Sequence, residues 1–554
     1  MAHEPPVQAN STSGEAKWYS DWKWMNPFSS SITLDEDRSV LPPLSKRPPI
    51  YTFYDTSTQK DEASRDAESK ILLAWRRAWW AQGFRPVVLG RPEAMNNPFY
   101  ERLQGLKLET AMESELVRWL AWGHMGTGIL ANWLAFPMAS HEDHLLTYLR
   151  RGEYPKLTRY EGLGSGLFCG EKTAINAALK KALENPDVTH SKSIIDAVPR
   201  DDFDVDPEHS SIAFYDATTI TTKYKVIAEK LAISGSEGLA LLPQLINSHL
   251  HTIFQNEFSE GIAVLHPLPK FTTALVEPAL QIAHHLAQCS DSPIPSSCPP
   301  NRPKCRPCLA SHPLPIDNPP TFRNTSTRFI IATVPHPYTL TSMTSQRETL
   351  DVRFIRRNTD RDTWITSVTK ALLGTGMGGP GRIVRLKAAV ASEWGHAHSL
   401  WLPAEAVAAE SESPSAHDKI PVGLDWHFGF TLPLNDTDKG HSNTPVPGPE
   451  RQPPKPAPKV PPPSPSELAS QKNLLDKARA VLEDSSAPKR RVRAMVEGWN
   501  LADTEAWRFV RALRAREEVE RRKWEEEERK FAGGAGADGG EDEGWGGWFD
   551  RRGT

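Results

Sequence analysis

Residues 50–89 constrain the fold most. A short apolar stretch, Ile50-Tyr-Thr-Phe-Tyr54, is followed after a polar break by Ile71, Trp75 and Trp79 at four-residue intervals, and then by Arg85-Pro-Val-Val-Leu89. Apolar residues every four positions share one face of a helix, whereas short unbroken apolar runs suit buried strands. The pattern predicts a strand over residues 50–55, a helix over 64–82 stopped by Gly83, and a strand over 85–89. Pro48 and Pro49 fit the approach to the first strand, where a fixed φ is tolerated. A strand-helix-strand opening belongs to an α/β sheet with helices on both faces.

A second amphipathic helix is expected over residues 110–122, burying Met112, Leu116, Trp119 and Leu120. It leads into Gly123-His-Met-Gly126-Thr-Gly128-Ile-Leu-Ala-Asn132-Trp133-Leu134-Ala-Phe-Pro137. That stretch is joined by Trp75-Arg-Arg-Ala-Trp79, Gly83-Phe-Arg-Pro86-Val-Val-Leu89, Asn97-Pro98-Phe-Tyr100 and Arg118-Trp119-Leu120-Ala121. Together they resemble the opening of GT-A-fold glycosyltransferases of the capsular-polysaccharide type, and the resemblance extends over residues 48–285. It implies a GT-A-like sheet of the nucleotide-diphospho-sugar transferase kind.

In that family an Asp-x-Asp pair at the end of the strand holds a divalent cation on the donor diphosphate. Here the two positions are Asn132 and Leu134. A hard cation needs charged oxygen ligands, and neither residue supplies one, so no divalent metal is expected at this motif. The resemblance implies donor-binding candidates at Asp55, Arg118, Gly126, Gly128, Asn132 and His266, with catalytic residues left unassigned. Its leading functional reading is a glycosyltransferase-like protein whose nucleotide-sugar site is degenerate or repurposed. The rival is an active, metal-independent transferase in which basic side chains neutralise the leaving diphosphate.

From residue 26 onward the chain also resembles a fungal family of undefined function, one member of which is linked to mitochondria. That implies a third reading, a structural subunit of a mitochondrial assembly.

Cysteine is scarce, five residues in all, and four of them, Cys289, Cys298, Cys305 and Cys308, occupy one short Pro-rich stretch. Cys305-Arg-Pro-Cys308 is a half-site for tetrahedral Zn²⁺. Structural zinc is the first expectation for the four, with two disulfides or free thiols as alternatives. Cys169 is expected as a packing residue.

The 48 prolines cluster, which points to linkers. The chain divides into an arm (1–47) with an aromatic cluster from Trp18 to Phe28, the GT-A-like domain (48–287), the Cys/Pro staple (288–320), and a small α+β region (321–435) expected to pack on the first domain. A Pro-rich linker (436–466), a C-terminal helical arm (467–531) and a tail (532–554) follow. Within the α+β region, residues 350–355 are expected as a strand. The helical arm, charged over most of its end, is expected to bind a protein partner.

With 65 basic and 69 acidic residues the charge is nearly balanced, so no nucleic acid is predicted as a partner. Without a long apolar run no membrane span is expected. With neither a signal peptide nor a clear transit peptide, the expectation is an intracellular soluble protein of mitochondrion or cytosol.

Overall fold

The computed structural model describes residues 41–42, 46–56, 60–406, 423–433 and 463–531. The aromatic cluster, the 532–554 tail and nearly all of the Pro-rich linker lie outside them.

Strand β1 (Pro49–Phe53) turns Ile50 to one face of its sheet and Tyr51 and Phe53 to the other. Successive side chains of a strand point in opposite directions, so each face recruits its own helices. On the first face lies α1 (Glu62–Ala81), started by the Asp61 carboxylate accepting the Ser64 amide at 2.6 Å and buried through Ile71, Trp75 and Trp79. It ends as expected at Gly83, whose φ of +85° suits a residue without a Cβ. Strand β2 (Arg85–Leu89) then pairs in parallel with all of β1.

On the second face lies α2 (Thr110–Met125), which buries Met112, Leu116, Trp119 and Leu120 and sets Trp119 edge-on to Trp122 and Phe168. Strand β3 (Gly128–Ala131) returns parallel to β1. The short β4 (Ala135–Pro137) leaves the sheet. Strands β5 (Thr158–Tyr160), β6 (Leu167–Gly170) and β7 (Asp204–Asp206) extend the order to β2-β1-β3-β6-β5-β7, with β6 antiparallel to β3. Helix α3 (Lys172–Glu184) joins α2, and β8 (Ile212–Phe214) pairs antiparallel with β4.

Helix α4 (Gly235–Glu257) lies against α1 and leads to a second, wholly parallel sheet. Its strands are β9 (Ile262–Leu265), β10 (Ile316–Asp317), β11 (Phe329–Val334) and β12 (Ser399–Pro403), in the order β10-β9-β11-β12. Strands β9, β11 and β12 are buried at every position, as parallel strands covered on both faces must be. The covering helices include α5 (Glu277–Ala287), α6 (Pro337–Thr344), α7 (Val352–Asn358), α8 (Thr363–Val368), α9 (Gly379–Ala391) and α10 (Glu393–His398). A short helix, α11 (Leu424–Phe428), sits on α1. The chain is thus α/β, built on one mixed and one parallel sheet.

One expectation is corrected. The strand over 350–355 is helix α7, because Asp351 accepts the Phe354 amide at 2.7 Å and caps a single amphipathic turn. The 48–287 and 321–435 regions share one apolar cluster, which runs from Ile50 and Trp75 through Phe254 and Ile331 to Phe509.

The C-terminal segment packs on the rest of the chain. It forms α12 (Pro465–Glu483), α13 (Ala487–Trp499) and α14 (Leu501–Glu528), and α14 packs across both sheets. Lys387 and Glu505 pair in the interior with side chains 0% and 3% exposed. Asp503 accepts the amides of Trp364 and Ile365, which start α8, and Trp524 donates to the Pro86 carbonyl in β2. Among the described residues no helix is long and apolar enough to cross a membrane.

Candidate functional site

The order β2-β1-β3 contains a reversal: the chain steps from β1 to β2 in one direction, then crosses back over β1 to β3. Because the three strands are parallel, their carboxyl ends share an edge, and the point of reversal between β1 and β3 is the place where open α/β sheets bind ligands. Tyr54 and Asp55 leave β1 at that edge, and Asn132 and Trp133 leave β3.

The Tyr54 ring meets the edge of Trp133 at 6.1 Å, and its hydroxyl donates to Glu68, which Lys60 also holds at 2.7 and 2.8 Å. Asp55 accepts from Arg91 at 3.2 Å. Arg91 and Lys60 are the cations that sequence reasoning missed. They are isolated basic residues on different elements, with no spacing to mark them.

Asn132 is committed locally. Its side-chain oxygen accepts the Leu134 amide at 2.9 Å, its carbonyl accepts the Ala135 amide at 2.9 Å, and its own amide donates to Gly166 at 2.8 Å. Leu134 packs against the core. The two positions that would hold a cation therefore form a closed turn.

Arg118 is 8% exposed and donates to the Ser165 carbonyl at 2.9 Å, so it converges with Asn132 on the same 165–166 turn. Burial pushes its pKa down to about 10 against the pull of Glu115.

The remaining candidates lie elsewhere. Gly126 and Gly128 stand at the amino end of β3, and four residues of strand set them roughly 13 Å from Asn132. A Cβ on Gly128 would come within 2.7 Å of the Tyr51 ring and 3.1 Å of the Pro49 carbonyl, so this glycine serves the contact between strands. His266 follows β9 in the other sheet, where its amide donates to Pro319 at 3.0 Å and burial lowers its pKa. No described contact joins it to Asp55 or Asn132.

The four clustered cysteines are joined as Cys289–Cys308 and Cys298–Cys305. Sulfurs committed to each other offer no thiolate to a metal, so this geometry is that of the disulfide alternative. The stapled segment lies along α4: Ser290 and Ser297 meet His251 and His249, and Asn256 makes two hydrogen bonds with the Arg306 backbone. Cys169 is buried and unpaired, as expected of a packing residue.

A second concave site lies between α1, α4, α10 and α11. Its cavity, of about 80 Å³, is walled by Phe254, Phe258, Phe329 and Phe428, with His141, His396, His427 and Glu257 among them. Glu257, the last residue of α4, makes no hydrogen bond or ion pair among the described residues. Burial, with Glu142 adding to it, pushes its pKa up to about 8, while Arg302 opposes the rise.

His396 lies 3.4 Å from Glu517, which Arg514 and His396 hold low against the cost of burial. His427 stands edge-on to His396 at 4.9 Å, and burial first, then His396 and Arg514, drives its pKa well down. Glu393 receives His141 at 3.0 Å and Arg150 at 3.3 Å.

A family model described as "Domain of unknown function (DUF8765)" matches residues 12–551. No curated protein and no solved structure matches the chain.

Proposed function

The chain belongs to the DUF8765 family, and we propose that it is a glycosyltransferase-like protein of GT-A-like fold that holds a nucleotide or nucleotide sugar without a bridging cation, its transferase chemistry degenerate or repurposed. The observation that carries the reading is the reversal of strand order between β1 and β3, at whose carboxyl ends open α/β sheets bind ligands. The order of elements supports it too: a helix packed under a glycine turn, a short strand, and the motif position at the strand end.

Where an ion would otherwise screen a diphosphate, Arg91 and Lys60 stand at the strand ends. A guanidinium can meet phosphate oxygens in bidentate fashion. The closed turn at Asn132 favours binding over catalysis, since its oxygen is already engaged by the Leu134 amide. A protein partner, expected at the C-terminal helix, would have to use the outward face of α14 at Arg522 and Lys523.

The test is binding of a fluorescent uridine or guanosine diphosphate sugar with and without Mn²⁺. The expected result is metal-independent binding that Arg91→Ala weakens about tenfold or more. Binding that requires Mn²⁺, or sugar turnover at ordinary enzymatic rates, would overturn the reading. So would the absence of any binding.

A further inference from the structure

Glu142 lies in the loop after β4, Glu257 ends α4, and His398 ends α10 immediately before β12. These three points are remote in sequence, yet a ligand-capable atom from each lies within 4.8 Å of those of the other two. We propose that Glu142, Glu257 and His398 form a binding site for a first-row divalent cation, with zinc as the reference ion.

The chemistry of the donors fits. Imidazole suits zinc and its neighbours, carboxylates supply charge, and three protein ligands leave a position for water or another ligand. His398 is prepared for the role. It is 2% exposed, its ring stacks on Trp394 at 4.3 Å, and Nδ1–H donates to the Trp394 carbonyl at 3.0 Å, with a Glu142 carboxylate oxygen 3.5 Å from the same nitrogen.

A carbonyl can only accept, so the neutral ring carries its lone pair on Nε2. That nitrogen makes no hydrogen bond among the described residues. An imidazole oriented by one nitrogen on a backbone carbonyl is the usual support for a metal bound by the other.

Two further observations point to a ligand. Glu257 is a mostly buried carboxylate with neither hydrogen bond nor ion pair among the described residues, an arrangement that a cation would satisfy. The cavity also reaches the same place: Glu257 forms part of its wall, and Phe258, another wall residue, stands edge-on to the His398 ring at 5.5 Å. The open coordination position would therefore be served by a space of its own, separate from the strand ends of the first sheet. The cysteines compete for no part of this site, being joined to each other.

The experiment titrates the chelator-stripped full-length chain with Zn²⁺ against a chromophoric competitor, in parallel with Glu142→Gln, Glu257→Gln, His398→Gln and a surface control, Glu161→Gln. The expected result is one ion per chain, weakened at least about tenfold in each of the three variants and unchanged in the control. The Glu142 side chain is 47% exposed, so its substitution leaves packing intact and separates ligand loss from misfolding. Zinc affinity equal in wild type, Glu142→Gln and Glu257→Gln would overturn the assignment, as would a chain that takes up no zinc. An ion kept by those variants but lost on Cys305→Ser would place it at the cysteines and overturn the assignment equally.

Discussion

Arg76 on α1 and Glu528 at the end of α14 form an ion pair across 452 positions of sequence, with side chains 10% and 3% exposed. The pair is roofed by Trp80, Trp426 and Trp524, whose rings lie 4.8 to 6.4 Å apart, and the guanidinium sits 5.0 Å over Trp524. Removing one member of a buried pair leaves the other charge in a poor solvent. Glu528→Ala should therefore lower unfolding free energy by about 3 kcal/mol, and a well-packed apolar replacement of both residues should restore most of it. Urea unfolding followed by tryptophan fluorescence measures both.

Gly128→Ala places a methyl group against the Tyr51 ring and the Pro49 carbonyl. The expected cost is about 1–3 kcal/mol from overpacking, with nucleotide affinity in the folded fraction unchanged. Loss of affinity at unchanged stability would return this glycine to the ligand site.

Thiol titration distinguishes the sulfur chemistry. Denatured without reductant, the chain should present one thiol, from Cys169, and after reduction all five cysteines. Five thiols on denaturation with a chelator alone would mean that the cysteines had been holding metal. Opening the Cys289–Cys308 link, which spans 19 positions, should cost about 3 kcal/mol.

Acid and base should destabilise the protein through different groups. Burial raises Glu257 to about 8, so the folded chain keeps a proton that the unfolded chain releases above about 4.3. Its contribution is complete at low pH and is lost as pH rises through 8. Wild type without added metal should therefore fall behind Glu257→Gln over that window, by no more than about 1.4 kcal/mol per pH unit. Burial lowers His249 to about 3 and His251 to about 4, the reverse case. Their contribution is complete above about 6.5 and is lost as pH falls toward 4. Unfolding free energy measured at intervals from pH 4 to 8 checks both slopes.

The first sheet was legible because its signals are local. Ile71, Trp75 and Trp79 announce a helix, Gly83 its end, and Val87 to Leu89 a strand, whatever else the chain does. Val352–Asn358 was not, because one amphipathic turn and a short strand show the same apolar spacing over six residues.

The packing of α14 was not legible because its partners are remote: Glu505 near its start meets Lys387, and Glu528 at its end meets Arg76. The same limit hid the cavity site. Asn132 belongs to a motif, and its turn could be anticipated from its neighbours. Glu142, Glu257 and His398 each stand alone in sequence, and only the packing of α4 and α10 brings them together.

The seat of Trp524 on the Pro86 carbonyl has a consequence for synthesis. The strand-helix-strand unit leaves the ribosome long before the helix that covers it. Until α14 has been made, Trp80 and its surroundings wait for their roof, and a product terminated before Trp524 would display that aromatic surface to chaperones and proteases.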